Sequence, residues 1–285
     1  MDPFASPHNL DRELHSLLVE ASSNLCDWFA ASGSQGPMPD LFDLPEASPA
    51  KEGVSNKVLL SELQLLMNGS YRPSHPGSLA HLDPPPLSAS IVGEMICAGL
   101  NNNLLAEELS PSLSSLERNL CQWFCKKLGL GDLSGGVAAS GGSLSNLMAL
   151  VMARNIAGLE SDPSAVFFAS DDCHVSFSKA LRIMGLKPES LRKVPTDENG
   201  ELKISSLRSS LNQIKSEGKK CFAVVATAGT TVRGAIDPLS EIAQFCQNEK
   251  VWLHVDGAIG GIFGLSTMTS EILQGLGSAD SITVN

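Results

Sequence analysis

The sequence has no excess of positive charge, no paired-cysteine motif and no long apolar run, and each absence removes a class of function. Twenty Lys and Arg stand against 31 Asp and Glu, for a formal net charge of −11 and a pI near 5.0. That balance offers no basic surface for nucleic acid or for an anionic membrane. The seven cysteines, at positions 26, 97, 121, 125, 173, 221 and 246, are odd in number and form no C-x-x-C pair. They are expected to be reduced, mostly buried thiols rather than a zinc or dithiol centre. Met1 to Leu10 lacks the basic-then-apolar pattern of a secretion signal, and no apolar run has the length of a membrane span. The expected location is therefore the cytoplasm. There is also no Gly-Lys-Ser/Thr phosphate loop, no G-x-G-x-x-G turn and no internal repeat.

What is present is a chain of 285 residues, 42% hydrophobic and 5% aromatic, with a mean hydropathy of +0.06. Such a chain can bury a substantial core. Its most informative stretch is Val251 to Gly264. A short run of β-formers, Val251 to Val255, ends in the carboxylate of Asp256, and Gly257, Ala258, Gly260, Gly261 and Gly264 follow at once. This pattern reads as a buried strand delivering an acid into a site where small residues let a flat ligand approach the backbone.

Before that stretch the chain reads first as helical. Leu14, Leu17, Leu18, Leu25, Trp28 and Phe29 space an amphipathic helix over 11–31, an N-terminal arm. Residues 32–54 are a linker rich in Pro, Gly, Ser and Asp, and a second helix covers 55–67. The proline-rich segment 71–86 displays His75 and His81, candidate substrate contacts, on an extended backbone. A helix is expected over 88–105. In the next one Ser110 caps, Pro111 takes the first position, and Leu113, Leu116, Leu120, Trp123, Phe124 and Leu128 form an apolar face for a core or a subunit interface.

From there strands and helices alternate, the signature of a mostly parallel sheet flanked by helices, an α/β fold. Strands are expected at 136–139, 165–169, 191–194, 222–227, 251–256 and 281–285, and helices at 143–157, 175–184, 204–215 and 238–248. The expected organisation is a helical arm and linker over 1–70 and an α/β domain over 71–285.

Three elements, Ser140 to Ser143, Ala226 to Thr231 and Asp256, are expected to converge on the carboxyl edge of that sheet, where ligands of parallel sheets bind, and His174 can stand there too. Ser140-Gly-Gly-Ser-Leu-Ser-Asn146 lies at a helix start, a geometry that suits phosphate as well as an ordinary cap. Ala226-Thr-Ala-Gly-Thr-Thr231 ends a strand in small and hydroxyl residues. His174 follows Asp171-Asp172-Cys173, whose acids suit a helix cap. His254 and Asp256 share a strand face, but no third ligand accompanies them, so no metal is expected.

The ordered set His75-Pro76, Ser110-Pro111, Ser140-Gly-Gly-Ser143 with Asn146, His174, Ala226-Thr-x-Gly-Thr-Thr231, His254-Val-Asp256-x-Ala258 and Ala279-Asp-Ser281 to Asn285 resembles the group II pyridoxal-phosphate-dependent amino-acid decarboxylases. That family includes glutamate, diaminobutyrate and aromatic amino-acid decarboxylases, and the resemblance runs from about Tyr71 to Asn285. It implies a fold-type-I large domain, pyridoxal 5'-phosphate as cofactor, decarboxylation of a small L-amino acid to an amine and CO2, and a homodimer. By resemblance Asp256 pairs with the pyridine nitrogen and His174 stacks on the ring, the two catalytic positions. Ala258 packs beneath the ring, Thr227 supports it, and Gly142, Ser143 and Asn285 hold the phosphate. The resemblance also places the Schiff-base lysine and a small C-terminal domain past Asn285, so this chain by itself is expected to be inactive. A carbon–carbon lyase or transaminase on the same fold, or a non-catalytic dimer partner, are the competing functions.

Overall fold

The structure, a computed structural model, describes residues 4–39, 48, 51–79, 82 and 84–285. The chain divides into two compact units, Met1–Asn101 and Asn102–Asn285, a division that falls later than the expected boundary at residues 70 and 71.

In the first unit Asp11 caps helix α1 (Arg12–Ala31), accepting from the Leu14 N–H at 2.9 Å. Ser55 does the same for α2 (Asn56–Asn68) through the Val58 N–H. Both caps satisfy donors that a helix start leaves open. Trp28 is the buried anchor of α1, and Arg72 donates to its carbonyl at 3.1 Å while stacking 4.9 Å from its ring centroid. Helix α3 (Ser88–Leu100) stops short of the expected residue 105. Asn101 turns left-handed (φ 43°, ψ 40°) and closes its N–H on the Cys97 carbonyl, a helix ending that Asn tolerates.

The second unit begins with α4 (Pro111–Lys127), Pro111 in its first turn as expected. Ser110 is not its side-chain cap, however, for its hydroxyl is fully buried and makes no hydrogen bond. Of the expected apolar face, Leu128 is buried in the core and Leu113 and Phe124 are half-buried, while Leu116, Leu120 and Trp123 lie largely exposed on α4. There follow α5 (Gly142–Ile156), β1 (Ala165–Ser170), α6 (Ser176–Ile183), β2 (Leu191–Val194), α7 (Ile204–Ser216), β3 (Lys220–Thr227), α8 (Leu239–Glu249), β4 (Trp252–Gly257) and β5 (Ser281–Val284). The expected strand at 136–139 is absent. That segment pairs with no strand, and the Ala138 N–H goes instead to the Glu117 carboxylate at 2.7 Å.

The five strands form one parallel sheet in the order β2-β1-β3-β4-β5. Strand alternation sorts their side chains into two cores. Phe168, Val224, Ala226 and Val255 pack with Leu207, Leu211, Ile242 and Phe245 of α7 and α8. Phe167, Ala223 and Val225 pack on the other face with Leu150, Phe177 and Leu181 of α5 and α6. All seven cysteines are free, but only Cys125 and Cys246 are buried and Cys26 and Cys97 are exposed, fewer buried thiols than composition suggested.

Behind the carboxyl end of β3, buried Asp237 accepts from the Thr227 N–H at 2.7 Å and the Leu202 N–H at 2.8 Å. Burial nonetheless pushes its carboxyl up to about 6. The folded state thus binds this proton more tightly than the unfolded chain, and the associated stability is lost as pH rises through about 6. Asp237→Asn replaces one acceptor with a donor facing a backbone N–H, and should cost about 1–3 kcal/mol. Urea midpoints should show a larger deficit near pH 4 than above pH 6, because only the wild type carries the burden of the buried charge. A deficit that grows with pH would contradict the assignment.

Candidate functional site

The register of the sheet builds the site. Thr227 of β3 lies beside Asp256 of β4, and Asp256 beside Thr283 of β5, so three polar side chains end adjacent strands at the carboxyl edge. All three are buried, Asp256 being 5% exposed. The start of α5 closes on them. A Cβ on Gly142 would stand 3.2 Å from the Ala258 methyl and 3.7 Å from the Thr283 methyl. On the far side, a Cβ on Gly260 would press to 2.3 Å from the Ala228 carbonyl, so only glycine lets the two edge loops meet.

Asn146, one turn into α5, ties these elements together. Its Nδ2 donates to Asp256 Oδ2 at 3.0 Å and to Ser176 Oγ at 3.1 Å. Its Oδ1 accepts from Thr283 Oγ1 at 2.7 Å and lies 3.0 Å from His254 Nε2. The other oxygen of Asp256 accepts from the Ala258 N–H at 3.2 Å. His254 Nδ1 lies 2.9 Å from Ser281 Oγ, which also accepts from Trp252 Nε1 at 2.9 Å.

Of the residues singled out from sequence, Gly142, Thr227, Asp256 and Ala258 come together at this edge, with Ser143 in the first turn of α5. His174, half-buried, precedes α6, where its Nδ1 accepts from the Ser176 N–H at 3.2 Å. Ser176 in turn joins the site through Asn146. Asn285 directly follows β5 and is exposed. His75 sits in the first unit, its Nδ1 accepting from the Gly77 N–H at 2.8 Å in a local turn, and His81 lies outside the described residues. Asp171 and Asp172 provide no side-chain cap to α6; Asp172 faces Arg233 at 3.5 Å instead. Lys193, on β2, donates to the carbonyls of Ser170 and Asp171 and to Cys173 Sγ, bracing the loop that leads to His174.

The residues that sequence reasoning passed over are Ser176, His254, Ser281 and Thr283 as members of one network, and Asn146 as its centre. A signal existed for Asn146. It shares the buried face of α5 with Ala149, Leu150, Ala153 and Arg154 at helical spacing, and a polar amide on such a stripe requires partners inside. The arrangement holds a carboxylate in a fixed direction, beside a helix N-terminus that favours anions and beneath loops made of small residues. Such a site suits a flat ligand with a positive nitrogen at one end and an anionic group at another.

The sequence profile described as the pyridoxal-dependent decarboxylase conserved domain matches residues 40–285. The chain is 36% identical over 244 residues to an aromatic-L-amino-acid decarboxylase of Bacillus atrophaeus, covering 85% of this chain and 50% of that protein. It is 32% identical over 271 residues to an L-2,4-diaminobutyrate decarboxylase of Acinetobacter baumannii, covering 88% and 53%. The chain thus spans about half the length of the curated relatives it matches. Among solved structures, mouse CSAD in its apo form superposes with a TM-score of 0.89 at 28% identity, over 96% of this chain and 60% of that one. The glutamate decarboxylase domain of a Vibrio parahaemolyticus diaminobutyrate-pyruvate transaminase and L-2,4-diaminobutyrate decarboxylase reaches 0.91 at 27% identity, over 98% and 64%.

His254 is fully buried, and burial holds its imidazole below the ordinary value of 6.5. The unfolded chain therefore binds this proton more readily, so the stability His254 contributes is present above pH 6.5 and is lost as pH falls below it. One such proton contributes a slope of up to about 1.4 kcal/mol per pH unit. Denaturant titrations of the wild type and His254→Gln between pH 7 and 5 should show a shallower acid decline in the variant. Parallel declines would mean that His254 carries no such burden.

Proposed function

Because the chain belongs to the pyridoxal-dependent decarboxylase family, we propose that it forms the cofactor-binding part of an enzyme that uses pyridoxal 5'-phosphate to convert a small L-amino acid to an amine and CO2. The observation that carries this reading is Asp256, a buried carboxylate whose two oxygens are each held by one donor and so keep capacity for a further N–H. The surroundings fit the cofactor. The Thr227 hydroxyl, beside Asp256 in the sheet, is buried with no hydrogen-bond partner, and Gly142, Ala258 and Gly260 leave no bulk around the carboxylate.

In this reading Asp256 holds a proton on the ring nitrogen, since an adjacent negative charge favours the protonated form. His174 and Ala258 orient the ring from its two faces, and Thr227 supports it from the β3 side. Gly142 and Ser143 bind the phosphate at the start of α5, where backbone N–H groups lack partners within the helix, and Asn285 completes that cradle. When bound, the cofactor supplies a conjugated system that accepts the electron pair released as CO2 departs.

The exposed apolar ridge of α4, with Leu116, Leu120 and Trp123, favours a two-fold homodimer, the commonest soluble assembly. We assign the enzyme to the cytoplasm on its composition; no helix among the described residues is long and apolar enough to cross a membrane.

Spectrophotometric titration with pyridoxal 5'-phosphate should show saturable binding to the chain. In the active enzyme Asp256→Asn should lower kcat about 10²-fold or more while leaving the fold intact, the scale of losing a preorganised electrostatic partner. Turnover near wild type would make Asp256 structural. Amine and CO2 without keto acid or aldehyde as products distinguish decarboxylation from transamination or carbon–carbon cleavage. Leu120→Glu should shift sedimentation equilibrium toward monomer, and an unaltered equilibrium would remove α4 from the interface.

A further inference from the structure

The amide of Asn146 is 1% exposed and uses both N–H groups and both lone pairs of its oxygen. One of its contacts settles which way the amide points. A carboxylate oxygen accepts but cannot donate, so the group facing Asp256 Oδ2 must be the NH2, and Oδ1 must be the atom facing His254 and Thr283. Turning the amide over would set an oxygen against the carboxylate and an NH2 against the imidazole.

This orientation fixes its neighbours in turn. His254 Nε2, 3.0 Å from Asn146 Oδ1, must carry the hydrogen. In the neutral ring Nδ1 is then an acceptor and accepts a hydrogen bond from the Ser281 hydroxyl. Ser281 Oγ, its hydrogen so engaged, accepts from the Trp252 indole N–H. The donors therefore run in one sense, from Trp252 through Ser281, His254 and Asn146 to Asp256. Each bond polarises the next, and successive dipoles aligned this way strengthen the last donor in the row.

We propose that Asn146 is the positioning residue for Asp256: its amide, oriented by His254 and Thr283, sets the direction of the carboxylate that meets the ring nitrogen of the cofactor. This rests on the cofactor reading above. Asn146 does not touch the reacting atoms; among the residues assigned to the cofactor, its amide bonds directly to Asp256, so its main influence should pass through the ring nitrogen.

That condition supplies the test. The 285-residue chain is titrated with pyridoxal 5'-phosphate and with its 1-deaza analogue, in which carbon replaces the ring nitrogen. Asn146→Leu should weaken pyridoxal 5'-phosphate about tenfold, the scale of one hydrogen bond to a charged group, and change the analogue by less than about twofold. Thr283→Val, which removes one donor to Oδ1 and preserves the amide, should show the same selectivity at about threefold, and it decides the matter if Asn146→Leu does not fold. In parallel, ¹⁵N NMR of the histidine-labelled apo chain should find His254 neutral with its hydrogen on Nε2. Equal losses for both ligands, or a hydrogen on His254 Nδ1, overturn the inference while leaving the cofactor reading intact. A wild-type chain that binds neither ligand overturns the cofactor reading, and the inference with it.

Discussion

The carboxyl edge of the sheet depends on one buried amide. Asn146 reaches from α5 to α6 through Ser176, to β4 through His254 and Asp256, and to β5 through Thr283. Sequence separations of 30 to 137 residues are thereby brought to a single side chain. Such a hub is demanding. Every member of a buried polar network must be satisfied, because the low dielectric that strengthens each bond also raises the cost of any bond left unmade. Here the four positions of the amide are all filled.

The parallel sheet makes that hub possible. Its strands end in register, so Thr227, Asp256 and Thr283 arrive side by side without any loop having to place them. Beneath them lie two layers of apolar packing, with α5 and α6 on one face and α7 and α8 on the other. Rigid strands hold polar ends more accurately than loops can, and close packing resists the displacement of any one of them. Asp237 works behind this row, anchoring the backbone of Thr227 and tying the β3 end to Leu202. The site is thus flanked by buried groups whose contributions to stability change with pH in opposite directions: burial raises the carboxyl of Asp237 and lowers the imidazole of His254.

Much of this was legible in the sequence, and the reasons are local. The run Val251 to Val255 ending in Asp256 announces a buried strand with an acid at its tip, because apolar β-formers and the glycines after them each restrict the backbone in a known way. Alternation of strand and helix implies the parallel sheet. Four of the residues assigned to one site, Gly142, Thr227, Asp256 and Ala258, do meet at one edge. Where the local reasoning failed, a contact distant in sequence had decided the outcome. Residues 136–139 had strand-like composition but pair with no strand, and the Ala138 N–H is bonded to Glu117 instead. Helix α3 was read too long because the left-handed turn of Asn101 breaks a pattern that its side chains would have continued.

By itself, then, the amino-acid sequence determined the fold class, the order of the elements and the acid at the tip of β4, since periodicity and backbone preference act within a few residues. Only the tertiary structure decided what holds that acid. Nothing in the spacing of Asn146, His254, Ser281 and Thr283 reveals that they share one hydrogen-bonded row, and the direction of that row follows from the inability of a carboxylate to donate. That direction becomes apparent only once Asp256 and Asn146 are seen 3.0 Å apart.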